Sequence, residues 1–333
     1  MSINIAALIN ARRVLFNIPL KPIQGERFQP TGFPSLGAAT YQTKNGASLL
    51  VESAQSMANR LEATIWDEAN KTLVEAAQGL SYIRVERKGE YLTSSITEAH
   101  RINSPYLLEG KDKSFFNELK SALGGLAEGP INRKILAETL FAYDANALIH
   151  GVFLAKKDLA GGRLRIARAL SAFIEADGIE VAASGGVKND SVNPSGDTKS
   201  GFGNVPFSRD EYTAKTITLY INLALDQIRG YGLSDVATNL LITLALYKIR
   251  ALIDGSLRLR TACDFEVASD SVTAVKPDGY ALPSLGELGV ALKNAIAPNA
   301  AVFKQTVVQY NDALKNGPAE NESKTEPTDE TEA

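Results

Sequence analysis

At 333 residues, with 44% hydrophobic and 22% charged content, the chain is an ordinary soluble globular protein with room for about two domains and a sizeable core. One cysteine (Cys263) and two histidines (His100, His150) exclude an internal disulfide and a cysteine/histidine zinc site, and fit a reducing, cytoplasmic setting. The sequence shows neither a signal-peptide core nor an apolar run of membrane-spanning length, so no membrane partner is expected. A net charge of −3 argues against nucleic acid until its distribution is considered: residues 319–333 carry Glu320, Glu322, Glu326, Asp329, Glu330 and Glu332 against Lys324, which leaves a mildly basic body compatible with RNA.

In chain order, Val14 to Leu20 alternates as a strand, and the prolines and glycines of Lys21 to Thr40 mark a long irregular loop. Ser48 to Val51 reads as a short strand leading into a helix that Ser53 caps, with Ala54, Met57, Ala58, Leu61 and Ile65 as its apolar stripe. Gln55, Ser56, Asn59 and Arg60 occupy its other faces. They are either a solvated polar surface or, near the positive end of the helix, donors for a phosphate. Trp66 to Phe141 reads as an insertion. It comprises a helix Asp67 to Gln78, a hairpin Tyr82 to Ile96 turning at Lys88-Gly89, and helices Ser114 to Leu123 and Asn132 to Phe141. Its Arg84, Arg87, Lys88 and Arg101 read as a solvated face.

Ala147 to Ala155, interrupted at His150-Gly151, reads as the second core strand. His150 lacks a companion nucleophile and is read as structural or RNA-contacting. Arg163, Arg165 and Arg168 crowd together so that, extended or helical, two guanidiniums share a side and suit phosphate. Ile179 to Phe207 is loop-like: Ser184-Gly-Gly-Val-Lys188 lacks Walker spacing, and Gly201-Phe-Gly-Asn-Val-Pro206 fails the dinucleotide fingerprint. Thr213 to Leu225 alternates strictly as a half-buried strand. Ser234 caps an apolar helix, Asp235 to Asp254, and Leu257 to Val267 is a last alternating strand with Arg258 and Arg260 on one side. The core order is β-α-(insertion)-β-(insertion)-β-α-β, the split β-α-β of ferredoxin-like and RNA-recognition domains. Pro283 to Lys315 reads as two helices broken near Pro298, and the tail reads as disordered.

Several motifs in this order resemble one family. Phe28-Gln-Pro-Thr-Gly-Phe-Pro34, Leu50-Val-Glu-Ser-Ala-Gln-Ser-Met-Ala-Asn-Arg-Leu-Glu62, Asp144-Ala-Asn-Ala-Leu-Ile-His-Gly-Val-Phe153, Leu164-Arg-Ile-Ala-Arg-Ala-Leu-Ser-Ala-Phe-Ile-Glu-Ala176 and Ser184-Gly-Gly-Val-Lys-Asn-Asp190 are similar to the type I-G (formerly I-U) CRISPR-associated RAMP proteins. These are the Cascade backbone subunits of the "seven" family, and the likeness runs from about Val14 to Val267. It implies an α+β fold with an RNA-recognition-motif (ferredoxin-like) core, a helical fingers insertion and a β-hairpin thumb insertion. The palm would be residues 1–66, 142–178 and 208–282, the fingers 67–141 and the thumb 179–207, followed by C-terminal helices 283–317 and an acidic tail 318–333. A thumb arm of about thirteen residues at ~3.3 Å each would reach roughly 40 Å. The implied function is to coat CRISPR guide RNA in a helical array of copies beside other Cascade subunits. The guide is presented to target DNA, and cleavage is left to a separately recruited helicase-nuclease. No cofactor is implied. The implied RNA-binding residues are Ser53, Gln55, Ser56, Asn59, Arg60, His150, Arg163, Arg165, Arg168, Lys188, Arg258 and Arg260. Two rivals are a RAMP-type endoribonuclease cutting target RNA through Asp177 or Asp190, and a filament protein without nucleic acid.

Overall fold

Val14–Pro22 buries Val14, Phe16, Ile18 and Leu20 while Asn17 and Lys21 face water, as a strand covered on one face should. The computed structural model describes residues 5–33, 37–44, 46–255, 257–269 and 271–314 and places this strand inside a seven-stranded antiparallel sheet. Across the sheet the strands are Leu257–Arg260, Cys263–Val267, Val14–Pro22, Thr216–Leu223, Leu170–Asp177, Gly46–Glu52 and Thr40–Thr43. Register follows burial: Phe16, Ile18 and Leu20 lie opposite Ile221, Leu219 and Ile217, which face Ala172, Ile174 and Ala176 on their other side. A one-residue slip would turn all of these outward. Helices Ala54–Ala63 and Asp235–Asp254 cover the buried face, giving a β-α-β-β-α-β order in an α+β fold.

Ser234 caps the second helix by accepting from the Ala237 N–H at 3.2 Å, and the Gly255 N–H closes it onto the Ala251 carbonyl. Contrary to the sequence reading, this one helix is long and apolar enough to cross a membrane, and 72% of that stretch is buried inside the fold. Each of its fully buried leucines contributes roughly 1.5–3 kcal/mol by leaving water.

Four expected elements take other forms. Asp67 to Gln78 is not a helix, because the Asp67 carboxylate accepts from the Ala69 and Asn70 N–H groups at 3.0 Å each and forms a turn that competes with one. Ala147–His150 is a short helix, and the strand after it, Val152–Leu154, pairs with Leu164–Ile166 outside the main sheet. The second core strand is Leu170–Asp177, whose Leu170, Ala172, Ile174 and Ala176 carry the alternation. Leu257 to Val267 folds back as a hairpin with Ala262 at φ 57. Beyond helix Leu285–Ile296 the chain ends its described course in a strand, Gln305–Gln309, parallel to Tyr82–Arg87. The hairpin Tyr82–Arg87/Glu90–Ser94 and helices Ser114–Ala122 and Arg133–Tyr143 fall where periodicity puts them. Pro34 and the tail 315–333 lie outside the described residues.

Residues 180–213 form a nine-pair hairpin, Glu180–Lys188 with Val205–Thr213, about 30 Å long. The tip of this arm is braced from within. Asp190 accepts from the N–H groups of Val192, Asn193 and Gly203 at 2.8–3.0 Å, and the Lys188 ammonium donates to the Gly201 carbonyl at 2.7 Å. Val187, Val192, Phe202 and Phe207 on the arm are exposed.

Beneath helix Ala54–Ala63 lies a buried polar network. Glu62 takes a bidentate pair from Arg101, Nε and Nη2 each at 2.6 Å, and a third bond from Asn146 Nδ2 at 2.8 Å. The Lys248 ammonium donates to Asn146 Oδ1 and to His150 Nε2, the latter at 3.0 Å. Burial, then the Glu62 charge, push the Asp144 carboxyl up to about 7; burial pulls Lys248 down to about 7 and holds His150 neutral, well below its usual range. Unfolded Asp144 ionises near pH 4 while the folded residue keeps its proton to about 7, so this group lowers stability as pH rises across that window. Lys248 acts on the other side of neutrality, with stability lost as pH falls from its unfolded value towards 7. We therefore expect the unfolding free energy of the parent, measured by urea titration, to fall relative to Asp144→Asn between pH 4.5 and 7, by at most ~1.4 kcal/mol per pH unit. A pH-independent difference would show that Asp144 is ionised in the fold.

Candidate nucleic-acid interface

Helix Ala54–Ala63 starts where Ser53 accepts from the Ser56 N–H at 3.2 Å. Arg168 reaches this first turn, donating Nη1 to the Ala54 carbonyl at 3.1 Å and Nη2 to Gln55 Oε1 at 2.8 Å. Arg168 is held there by the turn that follows the Ala147–His150 helix. Gly151, at φ 80, lets the chain pass so close to residues 166–168 that a Cβ would lie 2.8 Å from the Ile166 carbonyl oxygen. Tyr231 donates to the Leu148 carbonyl at 2.7 Å, and Gln227 donates to the Ala167 carbonyl and to the Tyr231 hydroxyl.

These contacts frame a cleft of about 1040 Å³ that collects Arg101, Arg133, Arg165 and Arg168 with His150 at its floor. Among the described residues, Asp226 is the one carboxylate lining it. Arg101 is neutralised by Glu62 and Arg168 is half spent on the helix, whereas Arg133 and Arg165 are exposed and, among the described residues, have no hydrogen-bond or ion-pair partner. Phe153 and Arg165 are direct cross-strand partners in the Val152–Leu154/Leu164–Ile166 pair, so an exposed aromatic ring and a free guanidinium stand side by side. Such a pair can stack a base and hold its phosphate.

The residues expected from sequence divide accordingly. Ser53, Gln55, Ser56, His150, Arg165 and Arg168 gather at or beside this cleft, with the exposed Asn59 one turn on, 3.5 Å from Gln55. His150 is 2% exposed and braces Lys248, so it shapes the floor and does not reach out. Four residues have other tasks. Arg60 donates to the Arg258 and Leu259 carbonyls at 3.1 and 2.5 Å and lies 4.0 Å from Glu52, on the far turn of the helix. Arg260 is paired with buried Glu52 and with the carbonyls of Gln29 and Val51. Arg163 clamps the carbonyls of Leu126, Ala127, Gly129 and Ala160. Lys188 closes the tip of the arm. Arg258 is exposed but 3.8 Å from Asp264. Phe153 and Arg133 went unnoticed in the sequence. The alternation around Phe153 could have flagged the first, since an aromatic residue on an outward position is uncommon, but nothing local marks Arg133.

Two other surfaces fit nucleic acid less well. A second cleft near the base of the arm has Arg27, Arg209 and Arg258, each facing a carboxylate (Glu211 for the first two, Asp264 for the third). The uncovered face of the sheet carries a stacked pair, Phe173 and Tyr220, with centroids 5.1 Å apart, but Glu175 and Asp177 share that face and repel phosphate.

Among solved structures, one described as "CRISPR RNA-guided surveillance complex, pre-nicking" is similar at 14% identity and a TM-score of 0.41, covering 79% of this chain and 75% of that one. Thermofilum pendens Csc2 is similar at 12% identity and a TM-score of 0.33, covering 90% and 78%. No curated protein matches the chain. The profile of the family described as CRISPR-associated protein GSU0053 matches residues 14–181, which is half of the chain and takes in the Ser53-capped helix, Arg133, the Phe153–Arg165 pair and Arg168. The chain belongs to the CRISPR-associated protein GSU0053 family.

Proposed function

We propose that this chain is the repeating guide-RNA-binding backbone subunit of a type I-G CRISPR surveillance complex, its sheet and two helices forming an RNA-recognition-motif-like palm, residues 67–141 the fingers and the 180–213 hairpin the thumb. The observation that carries this reading is the Phe153–Arg165 pair facing Arg133 in a cleft with one carboxylate. A cleft of this kind grips a single strand by phosphate and base plane and leaves sequence reading to base pairing with target DNA. The mechanism is binding in the cytoplasm, without a cofactor, beside other Cascade subunits and a separately recruited helicase-nuclease. Asp190, the candidate for a nuclease, has its oxygens engaged by three backbone N–H groups at the tip of the arm, and Asp177 accepts from the Ser48 hydroxyl at 2.5 Å. Neither belongs to a group of three or more potential metal ligands among the described residues.

Replacing Arg133 and Arg165 by Gln should weaken binding of single-stranded RNA and flatten its log–log salt dependence by roughly one unit per lost phosphate contact. Arg60→Gln should instead lower thermal stability and leave the slope alone, because its guanidinium is tied to the Arg258 and Leu259 carbonyls. RNA recovered from the titration with magnesium present should be intact. An unchanged slope for the double variant would remove the cleft from the site, and cut RNA would favour the endoribonuclease.

The arm carries the second test. Beyond its base at Glu211 and Tyr212 the arm buries little against the body, and Val187, Val192, Phe202 and Phe207 face outward, a surface suited to a neighbouring copy along the guide. Replacing residues 185–205 with a short Gly-Ser linker should shift the melting temperature only slightly and abolish regular arrays in electron micrographs of the co-expressed variant. Evenly spaced, full-length arrays from the variant would make the arm a dispensable loop. A clean protein absorbance spectrum from arrays purified without RNA would favour the filament protein.

A further inference from the structure

The Arg133–Arg165 cleft holds one group that a site for phosphate alone has no use for. Asp226 lines it as an exposed carboxylate among arginines, yet forms no ion pair among the described residues. Elsewhere on the body such groups pair off: Glu211 holds Arg27 and Arg209, and Asp264 lies 3.8 Å from Arg258. Here a carboxylate and two unpaired guanidiniums share one cleft without meeting.

The backbone fixes this arrangement. Asp226 is the second residue of the short helix Leu225–Arg229, and its N–H donates to the Arg12 carbonyl at 3.0 Å. On one side of it the Ala224 N–H donates to the Ala169 carbonyl at 2.8 Å, and on the other the Gln227 side chain donates to the Ala167 carbonyl at 2.7 Å. The turn that carries Asp226 is therefore tied to residues 167–169, the segment that follows Arg165 and includes Arg168. Oδ1 of Asp226 accepts from the Gln227 N–H at 3.1 Å, and Oδ2 has no hydrogen-bond partner among the described residues.

An ionised carboxylate only accepts hydrogen bonds, and it repels a phosphate placed beside it. In a cleft for RNA it becomes favourable only by accepting from a donor that the strand supplies. A single strand of RNA offers base N–H groups and ribose 2′-hydroxyls. The N–H groups of a guide are needed for pairing with target DNA, which leaves the 2′-hydroxyl, a donor on the same sugar that carries the phosphate. We infer that Asp226 accepts a hydrogen bond from a ribose 2′-hydroxyl and makes the cleft prefer RNA to single-stranded DNA. The inference rests on the reading of that cleft as the guide site. On a deoxyribose strand the carboxylate meets phosphate with nothing to offset the repulsion, so the residue that favours RNA also rejects DNA. A guide site that works beside target DNA needs such a residue, because phosphates and base planes are common to both polymers.

The test uses the full chain and three short probes at one salt concentration: oligouridine, its 2′-deoxy analogue and its 2′-fluoro analogue, which keeps the sugar pucker of RNA but cannot donate. The parent should bind oligouridine about tenfold more tightly than either analogue. Asp226→Ala should bring all three within about twofold, weakening RNA and tightening DNA. Asp226→Asn keeps an oxygen for the Gln227 N–H, and so the turn, and should lower the preference as well. An alanine variant that tightens RNA and DNA by the same factor would overturn the inference, since the carboxylate would then act only by general repulsion. A 2′-fluoro probe that binds the parent as tightly as oligouridine would overturn it too, because pucker and not the hydroxyl would be what is read. Preference kept by Asp226→Asn and lost by Asp226→Ala would assign the effect to the turn and overturn it likewise. Arg133→Gln with Arg165→Gln separates this inference from the reading beneath it and should weaken all three probes alike. If it does so while the Asp226 variants leave the preference unchanged, the RNA site stands and the inference falls. If it leaves all three probes bound as the parent binds them, the reading of the cleft falls with it.

Discussion

The ion pair between Glu62 and Arg101 is the constraint on which the rest of the molecule depends. Both groups are almost fully buried, at 4% and 7% exposure, and their two bonds of 2.6 Å join the Ala54–Ala63 helix to the turn at Arg101–Asn103. Removing one partner of such a pair typically costs roughly 3–5 kcal/mol, because the other charge is stranded in the interior. Arg101 adopts φ 52, a left-handed backbone that a non-glycine residue keeps only where its surroundings fix it. The pair also recruits Asn146, through it Lys248, and through Lys248 the ring of His150. A single carboxylate thus sets the floor of the cleft.

What the cleft can bind follows from which arginines this framework uses up. Arg101, Arg163 and Arg260 serve buried carboxylates or backbone carbonyls, and Arg60 closes the far end of the helix. Arg133 and Arg165 have no such duty among the described residues, so the cleft offers an anion two unspent guanidiniums beside Phe153. A net-acidic chain can therefore present a basic site.

The arm follows a different rule. It buries little against the body, and its order comes from a nine-pair ladder and from Asp190, which gathers three N–H groups of the tip. This stability is local, and the hairpin can keep its shape while its outer apolar residues remain available to a second molecule.

The sequence by itself determined the strands that bury one face and the helices that cap themselves. Val14, Phe16, Ile18 and Leu20 declare a half-buried strand, Ser53 and Ser234 declare helix starts, and Lys88-Gly89 declares a turn, because each signal lies within a few residues. The motif residues around Ser53 and Arg165 come together through Arg168, which bonds the first turn of the Ser53-capped helix at the edge of the cleft. Tertiary structure alone decided what depends on partners far apart in the chain. Leu170–Asp177 replaced 147–155 in the sheet because Gly151 turns the chain aside, and Gln305–Gln309 became a strand because Tyr82–Arg87 offered it a free edge. Arg60 and Arg165 look alike as basic residues in one set of motifs. They differ because carbonyls from residues 258 and 259, almost two hundred positions away, reach the first and nothing among the described residues reaches the second. A guanidinium is free or spent according to what the fold brings to it, and no local pattern encodes that.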